Sequence, residues 1–291
     1  MTPHRTLLSV AVAGVFTLLA ACGSDGTSAT DTAANTTAAG DTAAPASTAG
    51  TDAPTTTVVA TTAAPISTEP AMAHLRGTAY TFNTSDPIAG ATILVEEYPD
   101  VSATTAADGS YELALPAGAT ATAYIVAEGH HTIHVQTFTL DDDHDGTELD
   151  GVNFQTPTDG VYDGLKALIE SYVGRNPFEG GCVIVTTVGD SRMVGMPFDE
   201  FIDFHPHGVA GATALIEPPL ATPIYFNDGV VPDPAQLVTS GDGGVLWPNV
   251  PPGEYTLSAQ HPTEQFVTVR ARCEEGWVVN ANPVWGLHAV P

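Results

Sequence analysis

Val209-Ala210-Gly211-Ala212-Thr213, followed by Asp242-Gly243 and then by Pro252-Gly253, decides the fold, because the chain has already used the same punctuation once. Upstream, Ala89-Gly90-Ala91-Thr92 leads to Asp108-Gly109 and then to Pro116-Ala117-Gly118. A repeated order of turn signals between apolar runs marks two copies of one β-rich unit.

Around the first copy, residues 73–156 form a candidate domain. Leu75 to Phe82, Thr92 to Val95, Tyr111 to Leu115, Thr122 to Val126 and Thr132 to Leu140 read as short strands. The alternation at Tyr111, Leu113 and Leu115 puts these three on one face. Short strands between tight turns predict an antiparallel sandwich rather than a parallel sheet. The second copy, residues 181–291, opens with the β-branched run Cys182 to Val188 and continues through Val245-Leu246-Trp247, Tyr255 to Ser258 and Phe266 to Val269. Its Asp-Gly lies farther from its Ala-Gly-Ala-Thr than in the first copy. The extra residues hold Pro219, Pro223-Ile224-Tyr225-Phe226-Asn227 and Pro232-Asp233-Pro234. Aromatics among prolines make this insertion a candidate binding loop, with Tyr225, Phe226 and nearby Trp247 as its contact residues; a local satellite core is the competing reading.

The connector 157–180 carries one amphipathic helix, predicted over Gly160 to Val173. Val161, Leu165, Leu168, Ile169 and Tyr172 form its stripe, with Thr158 or Asp159 to cap it and Gly174 to end it.

Residues 1–22 read as an export signal: a basic start at His4 and Arg5, an apolar run from Leu7 to Leu19, then Leu19-Ala20-Ala21-Cys22. The run is too short for a comfortable membrane span. Leu-Ala-Ala-Cys resembles the bacterial lipobox, which implies lipid attachment at Cys22 and a protein held on the extracytoplasmic face of the cell membrane. Ordinary cleavage near Ala21 is the alternative. Residues 23–72 are mostly Thr, Ala, Ser, Asp, Gly and Pro. They offer too little apolar surface to offset the entropy of ordering, which predicts a disordered tether.

The chain has 34 Asp plus Glu against 7 Lys plus Arg, a formal net charge of -27. Such a field repels nucleic acid and anionic head groups, so no nucleic-acid partner is expected. With Cys22 assigned to the signal, Cys182 and Cys273 remain, and an exported protein meets an oxidising compartment. A disulfide between them would close a loop of roughly 90 residues and contribute about 4 to 5 kcal/mol in the chain-entropy picture. A reactive thiol or a Zn ligand is the minority alternative.

At Ile88 to Thr92, Asp108-Gly109-Ser110-Tyr111 and Leu115 to Gly118, the first unit resembles the carboxypeptidase regulatory-like domain. The second is similar at Val209 to Thr213, Asp242-Gly243 and Val250 to Tyr255. The resemblance implies a small transthyretin-like sandwich, usually an accessory module in exported proteins, and it names no reacting group. The expected fold is thus mainly β: two Ig-like/transthyretin-like antiparallel β-sandwiches joined by one amphipathic helix, after the disordered tether.

Three constellations bear on chemistry. Asp141, Asp143 and Asp145 alternate before Gly146, a spacing suited to Ca2+. Val152 stands where an EF-type loop would place its Glu, so a solvated acidic loop is the other reading. His205 and His207 flank Pro206 just after Asp203 and suit a transition metal if the segment is extended. Intradiol dioxygenases share this kind of sandwich and hold iron with two tyrosines and two histidines, but no tyrosine pair stands at a matching place here. No Gly-x-Ser-x-Gly elbow occurs. The expectation is a cell-surface lipoprotein acting as a non-catalytic binding or structural module, with a surface protein or carbohydrate as ligand and no cofactor beyond the Ca2+ option. The alternative is a metal-dependent enzyme using the His and acidic-loop residues.

Overall fold

The computed structural model describes residues 71–291. The expected export signal over residues 1–22, the expected lipid attachment at Cys22 and nearly all of the expected 23–72 linker lie outside the described residues.

The chain begins with β1 (Met72–Thr81), β2 (Thr92–Val95), β3 (Ser102–Thr104), β4 (Ser110–Pro116), β5 (Thr120–Val126) and β6 (Ile133–Thr139). Two short strands, β7 (Glu148–Leu149) and β8 (Phe154–Thr156), precede helix α1 (Asp159–Val173). Next come β9 (Cys182–Thr187), the short helix α2 (Phe198–Asp203), β10 (Thr213–Glu217), β11 (Ile224–Phe226) and β12 (Pro232–Asp233). The chain closes with β13 (Gly244–Val250), β14 (Gly253–Gln260), β15 (Val269–Cys273) and β16 (Val278–Asn280).

These strands make three sheets. β1 pairs with β4, β7 and β8; β10, β14 and β15 form a second sheet; the third has nine strands in the order β12-β11-β13-β9-β16-β6-β5-β2-β3. The nine-stranded sheet runs through both sequence repeats, and the described residues fall in one compact unit.

In each repeat the strand after Ala-Gly-Ala-Thr pairs with the strand after the Pro-Gly turn, β2 with β5 and β10 with β14. In each, the strand after Asp-Gly pairs antiparallel with the first strand of its unit, β4 with β1 and β13 with β9. Yet β2, β5 and β6 belong to the nine-stranded sheet, whereas their counterparts β10, β14 and β15 lie in the three-stranded one. The copies therefore face opposite ways and join through unlike sheets. β16 makes the join, running parallel to β9 on one side and to β6 on the other. The repeat pattern predicts antiparallel pairing throughout; the departures are β16 and the short β7 and β8, which run parallel to β1. All three enter after long excursions of the chain, where no hairpin turn fixes an antiparallel partner.

Two cores follow from this layering. In the first, Leu75, Leu113 and Leu115 meet Ile93, Ile125 and Phe138 across the gap between sheets. In the second, Ile184, Trp247 and Val279 meet Leu257, Ala271 and Cys273. The Cys182–Cys273 disulfide, with Cα atoms 5.7 Å apart, links β9 to β15 across this second core.

One local device is common to both repeats. Thr105 Oγ1 accepts the Ala91 N–H at 2.9 Å and donates to the Ile88 carbonyl at 2.6 Å. In the second copy Thr239 Oγ1 accepts the Ala212 N–H at 2.8 Å and donates to the Val209 carbonyl at 2.5 Å. Each threonine is buried and stands three residues before its Asp-Gly, locking the Ala-Gly-Ala turn onto the next hairpin. Gly109 and Gly243 each take a positive φ where a Cβ would strike a backbone carbonyl, of Ala79 and Val188 respectively.

Helix α1 is capped by Thr158, whose hydroxyl accepts the Val161 N–H at 3.4 Å, and it ends at Gly174 with φ 75°. It covers the outer face of the nine-stranded sheet, where Ile169 packs with Val183, Ile224 and Leu246. Its contact face is turned from the expected stripe: Tyr162 and Val173 pack inward, while Tyr172 is exposed. The Tyr162 ring lies flat on His131, 3.4 Å between centroids, and this stacking sets the rotation.

Candidate functional site

A cleft of about 360 Å3 opens where the two repeats meet. Repeat one contributes Tyr80 and Phe82 at the end of β1; repeat two contributes Thr186 on β9, Phe226 on β11 and the Asp242–Gly244 turn; β16 and the segment after it supply Asn280, Asn282 and Trp285. The fourth wall is the 189–208 loop. Gly189 and Gly208 bridge its ends, and the Asp190 N–H donates to the His207 carbonyl at 2.9 Å. Gly208 approaches Gly243 so closely that a Cβ at either would collide with the other. The segment is thus a long excursion with its two ends held together.

Within the loop, α2 directs Phe201 at the cleft. Its ring lies parallel to His207 at 4.9 Å and meets Trp285 near edge-on at 5.7 Å. His207 Nε2 bonds the Phe201 carbonyl at 3.2 Å, and burial holds the imidazole below the usual histidine range. Phe198 on the same short helix leans on Tyr80 at 5.0 Å and ties the loop to repeat one. The Asp242 carboxyl is pushed up by burial, although its Oδ2 accepts the Gly244 N–H at 3.0 Å.

The floor is fixed by polar bonds. Thr186 Oγ1 donates to the Ala281 carbonyl at 3.1 Å, and Asn280 Oδ1 accepts the Asn282 N–H at 3.2 Å. From the first repeat, Gln136 Nε2 donates to the Pro283 carbonyl, so both repeats hold the segment that crosses the cleft.

No family model matches the chain, and no curated protein matches it. Among solved structures, the shaft pilin SpaA from Lactobacillus rhamnosus GG is 10% identical over 76% of this chain and 98% of its own, with a TM-score of 0.23. The minor pilin GBS52 of Streptococcus agalactiae is 11% identical over 75% and 97%, with a TM-score of 0.24. The Bacillus anthracis TIE protein is 14% identical over 72% of this chain, with a TM-score of 0.24, and this chain spans about a third of its length, 33%. The cleft's own residues, rather than these distant likenesses, carry the functional reading.

Of the residues singled out from sequence, His205 and His207 line the cleft with ring centroids 4.6 Å apart, and Phe226 joins them. Tyr225 and Trp247 do not: they are 1% and 2% exposed and belong to the second core, where the Tyr225 hydroxyl accepts the Ala214 N–H at 3.1 Å. Alternation along β11 explains the split, since neighbouring strand residues point to opposite faces. Among the described residues no group of three or more His, Cys, Asp or Glu is placed to hold a metal ion. Tyr80 is the one tyrosine lining the cleft, and burial pushes its phenol up.

The acidic loop is used elsewhere. Asp141 Oδ1 accepts the Asp143 N–H at 3.1 Å and bonds His144 Nδ1 at 2.7 Å. Asp145 Oδ2 accepts the Thr139 N–H at 2.6 Å and Arg270 Nη2–H at 3.2 Å. Arg270 also donates to Thr139 Oγ1 at 2.7 Å, so the loop clasps β15 of repeat two to β6 of repeat one.

A second junction lies around His134. Its ring is stacked between Tyr124 at 5.0 Å and Trp277 at 3.7 Å, and its Nε2–H donates to Glu96 at 2.9 Å. Arg272 lies over the Trp277 ring, 5.5 Å from its centroid, and reaches Glu97 at 3.7 Å. His134 Nδ1 is buried without a partner, so a second proton would leave a buried donor unsatisfied. Burial accordingly outweighs the Glu96 bond and lowers the histidine's affinity for a proton. A histidine depressed in the folded state charges more readily when unfolded, so its contribution is fully present above the ordinary value near 6.5 and is lost as pH falls from there through the lower folded value. His131, His207 and His288 shift in the same direction, each chiefly through burial. Urea titrations between about pH 7 and pH 5 should show wild-type stability falling more steeply with acid than in His134→Gln. Relief of self-repulsion in a chain of net charge -27 acts on both proteins alike, so equal slopes would contradict the assignment.

Proposed function

We propose that the protein is a lipid-anchored module on the extracytoplasmic face of a cell membrane, with tandem carboxypeptidase regulatory-like sandwiches that present the seam cleft to a ligand without catalysing a reaction on it. The observation that carries this reading is the composition of the cleft. It joins aromatic rings to side-chain amides from both repeats, and its histidines contact aromatic rings and a backbone carbonyl rather than a nucleophile. Acylation of Cys22 supplies the anchor, and the Thr/Ala/Pro-rich linker carries the folded unit away from the bilayer.

The anchor is tested by mass spectrometry of the N-terminal peptide from membrane-fraction protein, which should begin at an acylated Cys22. Cys22→Ala should move the protein out of that fraction. An exported protein with an unmodified N-terminus would overturn the anchor. Metal analysis of folded, tag-free protein tests the non-catalytic reading. A stoichiometric transition metal that disappears in His205→Ala would replace it with a metal-dependent enzyme.

A further inference from the structure

We propose that the seam cleft binds a neutral carbohydrate, its ring stacked on the aromatic wall and its hydroxyls held by Asn153, Asn280 and Asn282. This deepens the binding reading and rests on it. Two of the three amides are half-used by the protein itself. Asn153 Oδ1 accepts the Thr78 N–H at 2.9 Å, and Asn280 Oδ1 accepts the Asn282 N–H at 3.2 Å, so each is oriented while its NH2 takes no protein acceptor. Asn280 is only 8% exposed and lines the cleft, so its unused donors are committed to whatever fills that space. Asn282 completes the set with a buried Oδ1 that has no partner. Fixed amide donors at adjacent positions suit the neighbouring hydroxyl groups of a sugar, each of which can accept a hydrogen bond.

Apolar contact comes from Phe82, Phe201, Phe226 and Trp285, all half-buried and all lining the cleft. Phe82 belongs to none of the three apolar clusters, so its exposed surface has no partner within the fold. A ring with a C–H face and a polar rim matches such a wall. Charge selects among ring compounds. No Lys or Arg lines the cleft, and the chain carries a net charge of -27, so an acidic ligand finds no counter-charge. The sole carboxyl there, Asp242, has one oxygen bound to the Gly244 N–H and is pushed by burial toward its neutral form, which weakens its pull on an organic cation. At about 360 Å3 the space lies near the lower end of small-molecule sites, roughly 300 to 1,000 Å3, and suits one or two sugar rings rather than a long chain.

The test uses the chain from residue 71 in calorimetric titrations with cellobiose, chitobiose, maltose and mannobiose, alongside heparin and hyaluronan fragments and choline. At least one neutral sugar should bind, and Phe82→Ala should weaken it about tenfold or more with the unfolding midpoint unchanged. Asn83→Gly, which keeps a residue with φ 76° at the rim while removing its side chain, is the second variant and should leave folding intact. Binding confined to acidic fragments or choline, yet lost in Phe82→Ala, would overturn the carbohydrate assignment and leave a binding cleft. Binding unaffected by Phe82→Ala would place the site elsewhere and overturn the proposal. No binding by any probe would overturn the cleft reading with it, while the Cys22 measurement stands apart from all of these.

Discussion

Val279→Pro is expected to lower the stability of the whole 71–291 unit by at least about 3 kcal/mol and to loosen both repeats together. Val279 is fully buried in the middle of β16, opposite Ile184 of β9 and His134 of β6. A proline there removes a backbone donor and places a ring in a strand paired on both sides, with no edge to relieve it. The side chain also leaves the second core, where Val279 packs. Two probes separate joint from independent loss. Trp247, buried in the second core, reports on the second repeat once Trp277 and Trp285 are replaced by phenylalanine, and hydrogen exchange along β1 and β4 reports on the first. With a shared sheet the two probes shift to the same denaturant midpoint. Wild-type protection in β1 and β4 alongside early loss of tryptophan signal would mean that the sandwiches fold independently and that the nine-stranded sheet is not a cooperative element.

How much of this was legible in the sequence depends on the range over which each feature is encoded. The turns were visible because glycine and Asx chemistry are local: Gly90, Gly109, Gly211 and Gly243 all take positive φ at the places the repeat predicts. The helix and its caps were visible for the same reason, and only the rotation of its buried face depended on a distant ring, His131. The buried threonines Thr105 and Thr239 were missed, although Thr-x-x-Asp-Gly occurs in both copies. A hydroxyl that bridges two turns looks in sequence like any strand threonine. The joining of the copies was not legible, since β16 has only three residues and its partners lie far away in the chain. Parallel pairing of that kind leaves no periodic mark.

The cleft was half legible. His205 and His207 stood out by residue type, and Phe226 by its company of prolines. Asn280, Asn282 and Trp285 sit in an ordinary-looking terminal stretch, and they matter only because β16 carries them to the seam. The insertion's other aromatic, Tyr225, went to the core by strand alternation alone. The acidic loop shows the reverse case: a metal-like spacing whose Asp145 is drawn to Arg270, a cation supplied by the other repeat. In a chain with 7 Lys plus Arg, the position of each cation decides which carboxylates act as structural clasps.

Replacing both Cys182 and Cys273 by alanine is expected to cost about 3 to 5 kcal/mol, because the bond spans 91 positions and forbids the most open states of the unfolded chain. Both cysteines are fully buried among the residues of the second core, and removing two sulfur atoms sacrifices little native packing beside that restriction. The bond also joins the second sandwich's two sheets at one end, beside Val250, which pairs with Cys182. Equilibrium unfolding of the oxidised protein, the protein refolded under reductant and the double-alanine variant distinguishes the contributions. If chain restriction dominates, the reduced protein and the variant should unfold at nearly the same, lower midpoint. A double variant within about 1 kcal/mol of the oxidised protein would show that the sheets hold together without the cross-link. The same difference bears on turnover: the oxidised state carries stability that reduction withholds, so the reduced chain should be the more readily proteolysed of the two.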